Sequence, residues 1–173
     1  MHQTLAAGTP FPRIVLPRLE GADAPLAGEG WTAVVVYRGR HCPICKRMLT
    51  DLAGTLSDWR DEGVSLVAVS GDDAEQARPF IEETGLDPAL VAHSLSVAQM
   101  RELGLYVSDP RSPEETDHPF AEPGLFVVNP DGNVQIVDVS NAPFARPELG
   151  SVLKGIAFVR DNDYPIRGTH AAS

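Results

Sequence analysis

The chain has 173 residues, a formal net charge of −10 and 43% hydrophobic content, a size and composition that suit one soluble domain able to bury roughly 70% of its unfolded surface. The acidic balance repels phosphate backbones and anionic lipid, which argues against nucleic-acid or membrane-surface binding as the main task. No basic residue precedes Arg13 and no long apolar stretch occurs, so neither a secretory signal nor a transmembrane helix is legible and the expected location is cytoplasmic.

Gly8 to Leu26 reads as a short edge element, because Pro10, Pro12 and Pro17 bracket Ile14-Val15-Leu16 and proline is confined to strand ends, bulges or edges. Gly21 to Gly30 is a polar, Gly-rich turn region. Trp31 to Tyr37 is the first central strand, with Val34, Val35 and Val36 expected to be buried on both faces. Arg38-Gly39-Arg40 ends that run and Cys42-Pro43-Ile44-Cys45 follows. From Pro43 to about Arg60 the apolar residues Ile44, Met48, Leu52, Leu56 and Trp59 recur every three or four positions, the stripe of one helix, which Gly54 weakens or kinks.

Gly63 is a stop signal, and Val64 to Val69 is the next strand. Ser70-Gly71-Asp72-Asp73 supplies turn and cap chemistry for a helix to about Thr84, which Pro79 should kink or split. A short strand near Val91 and a helix from Ser96 to Leu103, ended by Gly104, come next. Tyr106 to Pro123 is rich in Pro, Ser, Asp and Glu and reads as a long surface loop beside the site. Leu125 to Val128 and Val134 to Val139 flank Asn129-Pro130-Asp131-Gly132-Asn133, a β-hairpin signal. A closing helix from about Pro147 to Val159 precedes an irregular tail, Asp161 to Ser173. This order implies an α/β fold, a single domain over 1–173 in which a mixed central sheet carries helices on both faces: the thioredoxin topology with an N-terminal extension.

Both cysteines lie in one CxxC, so there is no disulfide framework. As a staple, so short a loop would contribute roughly 2 kcal/mol before strain is subtracted, and chemistry is the better explanation. Cys42 falls at a strand-to-helix junction, where unpaired N–H groups and the helix dipole favour an anion such as a thiolate, and Pro43 suits the first helical turn. Arg38, Arg40, Lys46 and Arg47 place four of the 14 basic residues within ten positions, with no acid among them. That local excess favours an ionised Cys42. His41 adds charge when protonated or shuttles a proton.

Each of these has a plainer alternative. Arg40, Lys46 and Arg47 are equally well read as solvated charges and His41 as an exposed ring, and Arg38 is the one favoured near the site. A zinc half-site needs further ligands, for which His93 and His118 are the candidates, and haem attachment needs a histidine where Lys46 stands. Trp31, Trp59, Phe11, Phe120 and Phe126 are read as packing. Glu82-Glu83 and Glu114, Glu115 and Asp117 are read as solvated, while Tyr106 and Phe120 are candidates to wall a substrate groove.

Four stretches carry a family likeness: Gly8-Thr9-Pro10-Phe11-Pro12, Tyr37 through Cys45, Glu122 through Gly132, and Asp163-Tyr164-Pro165-Ile166-Arg167-Gly168. Through them the sequence resembles the AhpC/TSA branch of the thioredoxin superfamily, in particular the peroxiredoxin-like proteins that carry CxxC. The resemblance implies that Cys42 is the nucleophile, that Cys45 resolves, and that Pro123 matches the cis-proline facing the redox pair. It also implies a disulfide or hydroperoxide substrate, a thiol electron donor and compatibility with a homodimer; no cofactor or metal is expected.

The chain departs from the pattern at two points. The acid that thioredoxins bury six residues before the nucleophile is Val36 here. The proline and hydroxyl that activate peroxide in peroxiredoxins correspond to Val35 and Gly39 counted from Cys42, or to Arg38 and Cys42 counted from Cys45, and Glu122-Pro123-Gly124 stands where the peroxide-binding arginine is usual. The first functional expectation is therefore a thiol-disulfide oxidoreductase. The alternatives are a hydroperoxide reductase using the same cysteines and a non-catalytic redox-sensing or metal-binding module.

Overall fold

The computed structural model describes residues 3–171. In chain order it contains β1 (Val15–Leu16), β2 (Ala24–Pro25), β3 (Trp31–Val36), α1 (Pro43–Ala53), α2 (Leu56–Asp61), β4 (Val64–Val69), α3 (Ala74–Thr84), β5 (Val91–Ala92), α4 (Val97–Glu102), β6 (Val107–Ser108), β7 (Phe120–Ala121), β8 (Gly124–Val128), β9 (Val134–Val139) and α5 (Leu149–Asp161), with a single 3₁₀ turn at Pro88–Leu90 before β5.

Five strands make the central sheet in the order β5-β4-β3-β8-β9. β3 is parallel to β4 and antiparallel to β8, so the expected mixed sheet is present. As the central strand, β3 is covered on both faces, and its side chains divide between two cores by alternation. Ala33, Val35 and Tyr37 face Leu49, Trp59, Phe80 and Ile156, hence α1, α2, α3 and α5. Val34 and Val36 face Leu16, Met100, Leu103 and Phe126, hence the β1–β2 hairpin and α4. Cys42 and Cys45 lie where β3 hands over to α1.

Several sequence expectations are sharpened. The stripe from Pro43 is broken into two helices: Gly54 caps α1, its N–H bonding to Asp51 O, and the Thr55 hydroxyl bonds to Leu52 O as α2 begins. Pro79, by contrast, does not split α3, which is one element. Proline removes one intrahelical hydrogen bond there, but the helix is anchored on either side of it. Asp73 and Gln76 form a reciprocal capping box (2.8 and 3.1 Å), and Ala77, Phe80 and Ile81 are buried. The turn region before β3 contains β2, which closes a two-stranded antiparallel ribbon with β1.

The greatest difference lies in Tyr106 to Pro123. This segment is a strap, closed by antiparallel pairing of β6 with β7. Its residues Thr116, Phe120, Ala121 and Glu122 are buried. Its alternating apolar residues are too few to read as strands, and their partners lie across the strap rather than along it. The last helix begins two residues later than expected, with Glu148 as its cap accepting from the Gly150 and Ser151 amides. The tail after it is irregular through Ala171, and the final two residues lie outside the described chain.

Candidate active site

Cys42 is the N-cap of α1, with extended backbone angles (φ −108°, ψ 105°), and Pro43 occupies the first helical turn. The Cys45 amide donates to Cys42 Sγ at 3.3 Å. The cap interaction normally made by a Ser or Asp oxygen is thus made by sulfur, and it aims an orphan helix donor at Cys42 Sγ. Cys45 lies one turn on, with its Sγ accepting from the Arg38 amide and from Arg146 Nη2, both at 3.4 Å. Both thiols are free and buried, Cys42 at 1% and Cys45 at 0% exposure.

The two sulfurs are driven apart electrostatically. A hydrogen bond from the Cys45 thiol, together with the Cys45 amide and the Arg38 guanidinium, outweighs burial and brings the Cys42 thiol down to about 5. Burial, and then the neighbouring Cys42, push the Cys45 thiol up. The pair is therefore a thiolate beside a thiol that donates to it.

Arg38 is the basic residue that reaches Cys42, as favoured from the sequence. Its Nε donates to Glu122 Oε2 at 2.8 Å, its Nη2 to Oε1 at 3.4 Å, and its guanidinium lies 4.8 Å from the Phe120 ring centroid. Ser108 completes the Glu122 carboxylate with a 2.8 Å bond. Glu115 is not simply solvated: it also approaches Arg38, at 3.9 Å, while pairing with Arg111.

The other basic candidates act differently. Arg40 contributes its backbone amide, which donates to Asp72 Oδ2 at 2.7 Å, while its side chain is exposed. Lys46 pairs with Glu83 and Arg47 is exposed, so neither enters the site. His41 is not an exposed ring. It packs on Phe120 with centroids 4.4 Å apart, and both ring nitrogens are buried without a partner among the described residues. Burial, then Arg38, pushes its imidazolium form down, so the ring stands neutral at neutral pH. Any contribution it makes is as a neutral donor and acceptor rather than as a charge.

Pro123 lines a small cavity shared with Val36, Met48 and Arg146. The expectation of a cis bond is corrected: the Glu122–Pro123 peptide is trans, as are all described peptide bonds. Trans is the intrinsically favoured isomer. The flanking backbone is engaged in that form through Glu122 N to Tyr106 O (2.8 Å) and Ser140 N to Pro123 O (3.0 Å).

Three residues that sequence reasoning missed complete the site: Asp72, Glu122 and Arg146. Asp72 is fully buried and also accepts from His118 Nε2 at 2.9 Å, clamping the strap to the loop that carries Arg40 and His41. His118 Nδ1 faces the Pro119 carbonyl and His93 bonds Ser94. Neither is arranged with the cysteines as a zinc set, and among the described residues no group of three or more His, Cys, Asp or Glu converges on a common point.

A model of the AhpC/TSA family matches residues 7–137. The chain belongs to the AhpC/TSA family. Within the curated proteins it is 28% identical over 94 residues to the thiol-disulfide oxidoreductase ResA of Halalkalibacterium halodurans, a match covering 53% of each chain. The chain thus aligns with about half the length of that relative.

Among solved structures, this AhpC/TSA protein superimposes on peroxiredoxin 6 of Arenicola marina with a TM-score of 0.77 at 16% identity, covering 92% of this chain and 76% of that one. A peroxiredoxin-like protein from Aquifex aeolicus gives 0.74 at 16%, covering 91% and 89%. AhpC of Mycobacterium tuberculosis gives 0.74 at 15%, covering 94% and 96%. At these identities the likeness establishes the fold. No described helix is long and apolar enough to cross a membrane.

Proposed function

We propose that this AhpC/TSA protein is a thiol-disulfide oxidoreductase in which Cys42 is the nucleophile and Cys45 resolves. The observation that carries this reading is the opposite polarisation of two sulfurs one helical turn apart, one lowered to about 5 and one raised. The Cys42 thiolate attacks one sulfur of a substrate disulfide, breaks its S–S bond and expels a thiolate. Cys45 then attacks Cys42 Sγ in the mixed disulfide, releasing the second thiol and leaving a Cys42–Cys45 disulfide. A thiol donor returns the two electrons. The likeness to ResA supports the same chemistry.

Counting free thiols after challenge with a small disulfide tests the proposal. Wild type is expected to lose two thiols and form an internal disulfide, whereas Cys45→Ser is expected to stop at the mixed disulfide. Two thiols that persist, with Cys42→Ser behaving like wild type, would sink the proposal.

Hydroperoxide reduction is the second reading, favoured by the closure of the site: Cys42 is 1% exposed, which suits a small oxidant. Cys42 thiolate would attack the terminal peroxide oxygen, releasing an alcohol or water and forming a sulfenic acid that Cys45 condenses to the disulfide with loss of water. Stopped-flow rates with hydrogen peroxide separate the two readings. A rate no faster than that of free cysteine at equal thiolate fraction removes this one.

A further inference from the structure

Arg146 belongs to the segment between β9 and α5, 101 residues from Cys45 along the chain, yet its Nη2 lies 3.4 Å from Cys45 Sγ. Its Nη1 is 3.4 Å from Met48 Sδ, and its Nε donates to the Pro143 carbonyl at 2.8 Å. Arg38, the other guanidinium at the site, is neutralised by Glu122. Arg146 makes no salt bridge with any described residue, and the acceptors around it are a carbonyl and two sulfurs. A charged donor left without a counter-ion binds most strongly to whichever neighbour acquires negative charge. The neighbour able to do so is Cys45. Arg146 also lines the open cleft of about 780 Å³ between α1 and α5, so its far side stays near water and the missing counter-ion is tolerated.

Resolution needs charge at that sulfur. Cys45 must be a thiolate to attack, but burial holds it protonated in the resting enzyme. The groups that face it are Cys42 and Tyr37, which do not favour its ionisation, and the Arg38 amide and Arg146, which do. When Cys42 enters a mixed disulfide its negative charge is gone, and Arg146 is left as the side-chain cation on Cys45.

We propose that Arg146 is a catalytic residue of the resolving step, stabilising the Cys45 thiolate as it attacks Cys42 Sγ. This rests on the disulfide-exchange reading above. The bond formed is Cys42–Cys45, the bond broken is that between Cys42 and the substrate sulfur, and the leaving thiolate takes up the proton that Cys45 gives up. No electrons beyond those of the two thiols are needed.

A chromogenic aromatic disulfide separates the two steps, because coloured thiolate is released once when Cys42 attacks and again when Cys45 resolves. In Arg146→Met the second release is expected to slow on the order of tenfold, and its pH profile to move up by about one unit, the fold-change that one unit of thiol pKa implies. Arg146→Lys should recover part of the rate by restoring the charge. A second release in Arg146→Met with wild-type rate and pH profile overturns the inference. Wild type that never gives the first release instead removes the disulfide-exchange reading itself. If Arg146→Met lacks the first release while wild type shows it, Arg146→Ala and Arg146→Lys are judged by the same criterion.

Discussion

The Arg38 guanidinium forks onto the Glu122 carboxylate at 2.8 and 3.4 Å, and this contact joins the end of β3 to the start of β8. It fixes the orientation in which Arg38 reaches Cys42. Arg38→Met is expected to raise the Cys42 pKa from about 5 towards the ordinary thiol range, seen as an upward shift in the pH midpoint of iodoacetamide alkylation. It should also cost about 3 kcal/mol of stability, because the buried Glu122 loses its cation and keeps only Ser108. Urea denaturation checks that loss. An unchanged alkylation midpoint would show that the Cys45 thiol and the helix terminus tune the sulfur without Arg38.

Stability of the reduced protein should depend on pH through Cys42. Its folded pKa is depressed, so the folded state holds fewer protons than the unfolded state between about pH 5 and the ordinary thiol value near 8.5. This contribution is complete above the unfolded pKa and is lost as pH falls through the folded one. Melting temperature measured with excess reductant is therefore expected to rise with pH across that window, relative to Cys42→Ser in the same buffers. Equal slopes for the two proteins would contradict the assignment.

Redox direction follows from the same thiolate. Stabilising Cys42 in its ionised form stabilises the reduced dithiol, which makes the disulfide more oxidising. The Cys42–Cys45 couple is expected to lie above about −270 mV, on the oxidising side of thioredoxin, and Arg38→Met to shift it to a more negative value. Equilibration against glutathione at graded ratios, with quenching by acid, gives the potential directly.

The strap meets the approach to Cys42 through Phe120, whose ring packs on His41 and under the Arg38 guanidinium, and it is expected to gate that sulfur. Asp72 holds it through His118 at 2.9 Å, and Gln76 holds Asp117 at 2.9 Å. His118→Ala should accelerate reaction of Cys42 with bulky disulfides more than with small ones, at a cost of about 1–2 kcal/mol for the lost bond. Paired rates with a peptide disulfide and a small aliphatic disulfide test this, and equal acceleration of both would argue against a gate.

Local signals carried the fold further than they carried the site. Val64 to Val69 has the β-branched run and flanking glycine of a buried strand, and forms one with those bounds. Gly54 breaks a helical stripe as its missing Cβ suggests. The outcome at Pro79 depended on the capping box before it and the core contacts around it, which periodicity does not weigh.

Cys42, Cys45 and Arg38 were legible because they share one strand-to-helix junction. Asp72, Glu122 and Arg146 were not, since they arrive from the segments after β4, before β8 and after β9 through contacts spanning 32, 84 and 101 residues. Six residues before Cys42, where the sequence pattern would hold a buried acid, stands Val36. Two buried carboxylates instead enter the neighbourhood from other elements. A paired acid and arginine placed at Glu122 and Arg38 gives no periodic signature, and the Ala145-Arg146-Pro147 context carries no signal of its own.

Gly39 has φ +143°, and a methyl group built on it would meet both Asp72 carboxylate oxygens at 3.0 Å and His41 Nδ1 at 3.1 Å. The same carboxylate receives the Arg40 amide on one oxygen and His118 on the other. A single hydrogen atom at position 39 is therefore the clearance on which two otherwise separate parts of the protein depend. Enlarging it would disturb the approach to Cys42 and the fastening of the strap in one stroke, which makes this glycine a pin shared by both.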